Sequence, residues 1–149
     1  MQEFEKINQN PNLQKATVCD IDGTIANMWN RNPYDLTKVL EDKPHWDIIN
    51  LVTLLTPNYK LIFVSGRSDK CRNDTEKWLA LHFWMCIEDI VLFMRKELDN
   101  RKDSIVKYEI LQEITKEYYV QYIFDDRDQV VQMARDAWFR VLQVANWSF

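Results

Sequence analysis

Glycine is scarce in this chain of 149 residues, which has only Gly23 and Gly66, far apart in the sequence. A phosphate-cradling P-loop needs two glycines five positions apart before its lysine, and a dinucleotide-binding fingerprint needs three glycines close together. Neither pattern can be built from two distant glycines. The sequence therefore excludes ATP-driven kinase chemistry of the P-loop type.

Cysteine, histidine and long apolar runs are also few. The three cysteines are an odd number without the paired spacing of a zinc site or a disulfide framework, which is typical of a reducing compartment. His45 and His82 are too isolated to form a convincing catalytic base or metal site. No apolar run is long enough to cross a bilayer, and residues 1–14 lack the apolar segment of a signal peptide. We therefore expect a cytoplasmic protein without membrane contact.

Positive charge is not in excess either, since the formal net charge is −4. Broad, non-specific binding of nucleic acid needs an extended basic face, which this balance argues against. Recognition of a single phosphate end needs only a few arginines. The length suits one domain over residues 1–149, and 46% apolar residues suffice for its core. We expect a loose arm over residues 1–14 and a flap over residues 25–43.

Five short apolar runs alternate with helical patterns along the chain. Each run is bounded by charged or turn residues, as buried strands are. The runs are Ala16–Cys19, Leu61–Val64, Ile90–Phe93, Val120–Phe124 and Val141–Val144. Between them, apolar residues recur three and four positions apart, as on one face of an amphipathic helix. The four faces are Ile48, Leu51, Val52 and Leu55; Cys71, Thr75, Trp78 and Leu79; Val106, Ile110 and Ile114; and Val130, Met133, Ala134, Ala137 and Trp138. The alternation predicts an α/β fold in which a parallel sheet of about five strands is flanked by helices.

Polar motifs follow three of the predicted strands directly. They are Asp20-Ile21-Asp22-Gly23-Thr24, Ser65-Gly66-Arg67 and Asp125-Asp126-Arg127. In an open α/β sheet, ligands bind at the carboxyl ends of the strands. The placement therefore predicts one shared site.

The first of these motifs suits phosphoryl transfer. One carboxylate can attack a phosphoryl group and form an aspartyl-phosphate, and its neighbour two positions on can act as general acid and then general base. Gly23 would permit a sharp turn that brings backbone N–H groups to the phosphate. An Asp-Gly pair after a strand is also commonly a simple turn. The two further motifs in register favour the catalytic interpretation.

Convergence of the motifs would place Asp20, Asp22, Asp125 and Asp126 close together. Like charges at short range raise each other's pKa values unless a cation is present, and ligands that are all oxygen favour Mg²⁺. Ser65, Arg67 and a lysine would stabilise the other phosphate oxygens.

The order of the motifs resembles the four-motif signature of haloacid dehalogenase phosphatases. More narrowly, the chain from about Thr17 to Phe149 is similar to the 3′-phosphatase domain of phage-type polynucleotide kinase/phosphatase. Further matching segments are Asn30 to Leu36, Met94-Arg95, Arg101-Lys102-Asp103, Val106-Lys107, Asp125 to Val131 and Gln143-Val144-Ala145. The resemblance implies a Rossmann-like haloacid dehalogenase fold with a minimal cap. It also implies Mg²⁺-dependent removal of a 3′-phosphate from DNA or RNA ends through an aspartyl-phosphate.

The resemblance also implies a role for each matching position. Asp20 matches the nucleophile and a metal ligand, and Asp22 matches the general acid/base with its backbone carbonyl on the metal. Asp125 and Asp126 match the acidic pair that completes the metal site, with Asp126 favoured as the direct ligand. The remaining active-site or phosphate-binding positions are Gly23, Thr24, Arg31, Ser65, Gly66, Arg67, Arg95, Asp103 and Lys107, with Lys107 the expected phosphate-binding lysine.

Some residues keep a second interpretation. Arg31 and Arg95 also suit solvated surface charges, and Asp103 also suits a helix cap. Cys19 is expected in the core. Trp29 in the flap is a candidate for stacking on a terminal base, although packing is the favoured role.

Three functions stay open at this point. The leading one is the 3′-phosphatase of end healing, and the others are a phosphatase of free nucleotides or other small phosphomonoesters and a non-catalytic module that binds nucleic-acid ends or a protein. The family's founding members carry a kinase domain and this sequence has none, so we expect a stand-alone phosphatase. A separate kinase or ligase partner would then supply the 5′-end chemistry, in the host cytoplasm if the chain is phage-encoded.

Overall fold

The computed structural model describes residues 3–28 and 31–147. In chain order its elements are β1 (Gln14–Asp20), β2 (Ala26–Asn27), β3 (Lys43–Pro44), α1 (Trp46–Leu55), β4 (Lys60–Ser68), α2 (Arg72–Phe83), β5 (Val91–Arg95), α3 (Asp103–Ile114), β6 (Tyr118–Arg127), α4 (Asp128–Asp136) and β7 (Val141–Trp147). Short 3₁₀-helices lie at Leu36–Glu41, Asp69–Cys71 and Ile87–Asp89. No helix within the described ranges combines the length and the hydropathy of a membrane span.

A parallel sheet with strand order β5-β4-β1-β6-β7 forms the centre of the fold. The five predicted strands are all present, and the predicted α/β fold is confirmed. β1 lies in the middle, between β4 and β6. The strands extend further than predicted, so that Asp20 is the last residue of β1 and the other two motifs lie at the carboxyl ends of β4 and β6 rather than after them. Because neighbouring parallel strands end at the same edge, the three polar motifs meet there.

Both faces of the sheet are buried, which is why the strands read as continuous apolar runs. Along β4, Phe63 points into a core shared with α1 and α2, while Ile62 points into a second core shared with α3 and α4. Cys19 is fully buried in the first core, as expected.

Two residues predicted on buried helix faces are exposed instead. Leu51 is 44% exposed, because Ile49 and Val52 supply the buried face of α1. Trp138 is 71% exposed, because α4 ends at Asp136 and Trp138 adopts a left-handed backbone conformation that leads out of the helix. The predicted positions of these two side chains were wrong.

The segment predicted as a flap, residues 25–43, contains regular structure. β2 pairs antiparallel with β3, with Ala26 opposite Pro44, and the 3₁₀-helix Leu36–Glu41 lies between them. In the described part of the chain, only this small hairpin, the 3₁₀-helix and α1 separate β1 from β4, so the cap is minimal. Trp29 and Asn30 lie outside the described residues, so the proposed stacking role of Trp29 stays a prediction.

The N-terminal arm forms no helix or strand over residues 3–13, but it is not loose. The Phe4 ring lies 5.1 Å from the Tyr108 ring, centroid to centroid. The side-chain amide of Gln9 donates to the Val120 carbonyl at 3.1 Å, and its oxygen accepts from the Val120 N–H at 2.6 Å. Gln9 thus supplies both hydrogen bonds that a neighbouring strand would give to β6, and this fixes the arm.

We expect Gln9→Ala to lower the free energy of unfolding by about 1–3 kcal/mol, because both backbone groups of the buried Val120 lose their partners. Urea denaturation measures this difference. Gln112→Ala, on the exposed side of α3, serves as the control and should leave stability unchanged. Equal stability of the two variants would show that Gln9 contributes nothing to the fold.

Candidate active site

The site lies at the carboxyl edge of β1, β4 and β6. Asp20 ends β1, and Lys107 reaches it from α3, with its Nζ 2.6 Å from Asp20 Oδ1 and 2.8 Å from Asp125 Oδ2. Both Asp20 and Lys107 are buried. The Thr24 hydroxyl donates to the second oxygen of Asp20 at 3.0 Å. The Asp20 carboxylate is therefore held in one orientation from both sides.

Burial and charge act on these groups in opposite directions. Burial raises the pKa of Asp20 well above its ordinary value, and the neighbouring Asp125 and Asp126 raise it further against the opposing effect of Lys107. Burial alone would lower the pKa of Lys107, but the carboxylates of Asp103, Asp125 and Asp20 raise it well above the ordinary value. Lys107 is therefore a permanent ammonium at neutral pH.

Three carboxylates form a group suited to a cation. One oxygen from each of Asp20, Asp125 and Asp126 lies within 4.8 Å of the others. Burial and the nearby Asp125 raise the pKa of Asp126, so its negative charge is poorly compensated. When all three carboxylates are ionised, they exceed the single Lys107 ammonium by two negative charges, which a divalent cation would neutralise. Oxygen ligands at such spacing fit Mg²⁺.

The two neighbouring aspartates of this group differ in their partners. Asp125 accepts from Lys107 through Oδ2 and from the Arg127 N–H at 3.0 Å through Oδ1. Across residues 3–28 and 31–147, no ion pair joins Asp126 to a lysine or arginine, and Thr24 contacts it at 3.4 Å. The Asp126 carboxylate is thus the one of the pair without a cationic partner among the described residues.

Both glycines of the chain stand against carboxylates of the site. Gly23 has φ of 84°, and a Cβ there would lie 2.1 Å from Asp126 Oδ2. A Cβ on Gly66 would lie 2.4 Å from Asp103 Oδ1. A side chain at either position would displace a charged group, so the scarce glycines mark the site.

Arg67 and Arg31 form a second set of contacts around Asp22. The Arg67 guanidinium donates to both oxygens of Asp22, through Nε at 2.8 Å, and Arg31 Nη2 lies 3.7 Å from Asp22 Oδ1. Burial opposes the charge of Arg67, but Asp22 and Asp42 raise its pKa. Ser65 is buried, and its hydroxyl accepts from the Arg67 N–H at 3.1 Å. Arg31 is thus part of the site rather than a solvated surface charge.

Asp42 is a site residue that the sequence did not reveal. Its carboxylate accepts from Arg31 Nε and Nη2, each at 2.8 Å, and from Arg67 Nη2 at 2.7 Å. Its carbonyl accepts from Trp78 Nε1 at 2.8 Å, and its side chain is 1% exposed. Asp42 lies near the end of the flap and belongs to none of the three motifs. The sequence around it therefore did not indicate a role in the site.

Asp103 organises a third set of cations. Its carboxylate lies 3.0 Å from Arg95 Nη2, 3.3 Å from Arg127 Nη1 and 3.5 Å from Lys107 Nζ. Burial would raise the pKa of Asp103, but these three cations lower it. Asp103 is the first residue of α3, whose N-cap is Lys102, so the helix-cap interpretation does not hold.

Arg95 and Gln143 fix the loops around the site. Arg95 donates to the Gly66 carbonyl at 2.8 Å and to the carbonyls of Asp99 and Arg101. Gln143 on β7 donates to the Asp126 carbonyl at 3.3 Å and to Asp128 Oδ1 at 2.6 Å. Sequence reasoning gave Gln143 no role, because its contacts depend on the pairing of β7 with β6.

Comparisons with known proteins agree with this geometry. The family model for the polynucleotide kinase PNKP phosphatase domain matches residues 14–149. A putative bifunctional polynucleotide kinase/RNA ligase of Autographa californica nuclear polyhedrosis virus is 36% identical over 126 residues, which cover 82% of this chain and 18% of that protein. The chain therefore spans about a fifth of the length of this curated relative.

Solved structures show the same relationship. A chain in the structure of the Pnkp1/Rnl/Hen1 RNA repair complex superposes with a TM-score of 0.87 and 34% identity, covering 98% of this chain and 47% of that one. A class C acid phosphatase from Bacillus anthracis shares the fold, with a TM-score of 0.59 and 15% identity. The match covers 93% of this chain and 69% of that one. A haloacid dehalogenase-like hydrolase from Streptococcus pneumoniae also shares the fold, with a TM-score of 0.57 and 16% identity. The match covers 86% of this chain and 83% of that one. With the family match over nearly the whole chain, the predicted resemblance is confirmed: the chain belongs to the polynucleotide kinase PNKP phosphatase domain family, on a haloacid dehalogenase fold.

Proposed function

We propose that this phosphatase domain removes the 3′-phosphate from nucleic-acid ends in a Mg²⁺-dependent reaction, through an aspartyl-phosphate on Asp20. The observation that carries the proposal is the buried Asp20 carboxylate, held by Lys107 at 2.6 Å and by Thr24 at 3.0 Å beside Asp125 and Asp126. A carboxylate fixed in this way is suited to attack rather than to solvation.

In the first half of the proposed reaction, one Asp20 oxygen bonds to phosphorus as the bond from phosphorus to the 3′-oxygen breaks. Asp22 gives its proton to that leaving oxygen. In the second half, Asp22 takes a proton from water, the water oxygen attacks phosphorus, and the Asp20 carboxylate leaves with phosphate as the product. Lys107 lies where its charge offsets the negative charge on Asp20 and on the transferring group.

The contacts of Arg67 suggest how Asp22 is released for this role. Arg67 is shared between Asp22, which is partly exposed, and Asp42, which is buried. A substrate phosphate competes with Asp22 for the guanidinium while Asp42 keeps it in place. Asp22 then exchanges a cationic partner for the leaving oxygen, with Arg31 on its other side.

Asp20 and Asp126 would hold Mg²⁺ directly, together with the backbone carbonyl of Asp22, and Asp125 would orient Lys107 and the loop. Bound Mg²⁺ supplies positive charge that offsets the charge of the transferring phosphoryl group. Asp103 keeps Lys107 and Arg95 oriented toward the phosphate.

A polymer end is the favoured substrate. The cap is minimal, which leaves the edge of the sheet open to a chain, and the similar proteins are named for polynucleotide kinase, RNA ligase and RNA repair. We propose that kinase and ligase activities act on the same ends. A free nucleotide is the alternative substrate. A non-catalytic binding module is disfavoured, because the chain has all four aspartates that the proposed reaction needs: Asp20, Asp22, Asp125 and Asp126. The cytoplasmic location stays a prediction.

With Mg²⁺, an oligonucleotide bearing a 3′-phosphate should release phosphate, and Asp20→Asn should lower the rate by at least about 10³-fold because the nucleophile is lost. Malachite-green detection of phosphate measures both. Asp47→Asn on the exposed face of α1 serves as the control. Equal or faster release from a 3′-mononucleotide would favour a nucleotidase, and activity retained by Asp20→Asn would exclude the covalent mechanism.

Asp42→Asn should lower kcat/KM by about 10- to 100-fold, because Arg31 and Arg67 lose the anion that orients them. Removing one charge from a buried network should also lower the free energy of unfolding by about 3–5 kcal/mol. Steady-state kinetics and urea denaturation measure the two effects. Glu41→Gln, the exposed neighbour, should match the wild type. Unchanged kinetics in Asp42→Asn would remove Asp42 from the site.

Asp103→Asn should lower stability in a pH-dependent way. Because the cations lower the pKa of Asp103 in the folded state, its ionised form stabilises the fold above its ordinary pKa of about 3.9. This contribution is lost as the pH falls through the lower pKa of the folded state. The difference in unfolding free energy between the wild type and Asp103→Asn should therefore be largest near neutral pH and shrink below about pH 4. A difference that stays constant in urea titrations across this range would contradict the expectation.

A further inference from the structure

Three described residues other than glycine have a left-handed backbone conformation: Trp84, Leu98 and Trp138, with φ of 56°, 69° and 73°. This conformation is unfavourable for residues with a Cβ, and helices that end in it usually place glycine there. All three side chains are exposed, at 88%, 88% and 71%. Trp138 differs from the other two in what surrounds it.

Trp138 terminates α4 in a position that glycine normally occupies. The Phe139 N–H donates to the Ala134 carbonyl at 2.9 Å, and the Trp138 N–H donates to the Arg135 carbonyl at 3.0 Å. This pair of bonds is the Schellman motif. The fold therefore keeps a large aromatic ring, mostly in solvent, where a residue without a side chain would be less strained.

One cation contacts this ring, and two more line the recess beside it. Lys6 Nζ lies 4.3 Å from the centroid of the Trp138 ring. Arg135, Arg140 and Tyr119 line a surface recess of about 640 Å³ together with Trp138. We call this group the Trp138 patch; its members are Lys6, Tyr119, Arg135, Trp138 and Arg140.

The cations of the Trp138 patch form no close ion pair with an acidic side chain among the described residues. None of the ion pairs in the described part of the chain involves Lys6, Arg135 or Arg140, although the protein carries a net charge of −4. The adjacent Asp136 accepts instead from Gln132 Nε2 at 2.7 Å. The patch therefore places positive charge beside the exposed Trp138 ring and the half-buried Tyr119 ring.

We propose that the Trp138 patch binds the single-stranded part of a polynucleotide whose 3′ end lies in the active site. Aromatic rings stack on bases of any sequence, and arginines bind phosphates with a planar fork. The other lining residues are Gln9 and Gln121 and the buried Val120, Phe139 and Val141, so polar side chains supply most of the accessible lining. Such a lining suits a hydrated polyanion better than an apolar protein surface. The inference rests on the proposed function.

The patch and the active site lie at opposite ends of β6. Tyr119 is near the start of the strand and Asp126 near its end, so seven residues at about 3.3 Å each place them about 23 Å apart. Single-strand sites commonly cover about 4–16 nucleotides. The path over the surface is at least this long, so the test uses an oligonucleotide of about 12 nucleotides to span both places and a trinucleotide that is too short to reach the patch.

Trp138→Gly in the full chain separates this role from a structural one. Glycine relieves the left-handed strain, so the melting temperature should not fall, while the affinity for an oligonucleotide of about 12 nucleotides should drop at least about five-fold. Fluorescence anisotropy with a labelled 3′-hydroxyl oligonucleotide measures binding independently of catalysis. Release of phosphate from a 3′-phosphorylated trinucleotide should keep the wild-type kcat and KM.

Trp84→Gly is the matched control, because Trp84 is also exposed and left-handed at a helix end, but the sequence from Leu81 to Asp89 around it contains no lysine or arginine. It should leave the affinity for the long oligonucleotide unchanged.

The double variant Arg135→Gln, Arg140→Gln tests the phosphate contacts. It should reduce the slope of log Kd against the logarithm of the salt concentration by about 1.4, because each phosphate contact contributes about 0.7 to this slope for a single strand.

Equal affinities of the wild type and Trp138→Gly for the long oligonucleotide would overturn the proposal, as would equal losses in Trp138→Gly and Trp84→Gly. A stable Trp138→Gly protein whose trinucleotide kinetics change as much as its oligonucleotide binding would also overturn it. If the wild type releases no phosphate from either substrate, the proposed function fails, whereas the anisotropy comparison still decides whether the patch binds nucleic acid.

Discussion

The buried ammonium of Lys107 is the interaction on which the rest of the site depends. A buried lysine and buried carboxylates are each unfavourable alone, because both lose their hydration. Placed 2.6 Å from Asp20 and 2.8 Å from Asp125, the ammonium offsets the cost of burying these carboxylates, and they offset its own. This requires α3 to lie over the edge where β1 and β6 end side by side. The central position of β1 in the sheet satisfies that requirement.

The charges around Asp22 and around Asp20 form two groups with different balances. Asp22 and Asp42 match the two guanidinium groups of Arg31 and Arg67, so this group is close to neutral and holds its geometry without a ligand. The three carboxylates around Lys107 exceed its single positive charge by two. In the proposed function, the first group is preorganised to meet the substrate phosphate, and a divalent cation would offset the excess negative charge of the second.

Sequence reasoning located the three motifs because each comes at the carboxyl end of an apolar run, and the strand ends of a parallel sheet lie at a common edge. It could not locate Asp42, because that residue reaches the site only when the flap folds back and Trp78 binds its carbonyl. The same limit applies to Gln9, which looked like part of a loose arm and in fact completes the hydrogen bonding of Val120. Contacts of this kind join distant segments and leave no periodic or local pattern.

The distribution of glycine shows what the fold tolerates and what it does not. At Gly23 and Gly66 a Cβ would collide with carboxylates that cannot move without breaking the site, so no other residue fits. Residues with side chains adopt the left-handed conformation at Trp84, Leu98 and Trp138. Their side chains project into solvent, so only backbone strain opposes a side chain there. Strain at a surface is tolerated when the side chain projects into solvent, whereas overlap with a charged group in the site is not. The two glycines are therefore explained by the chemistry of the site more than by the turns in which they lie.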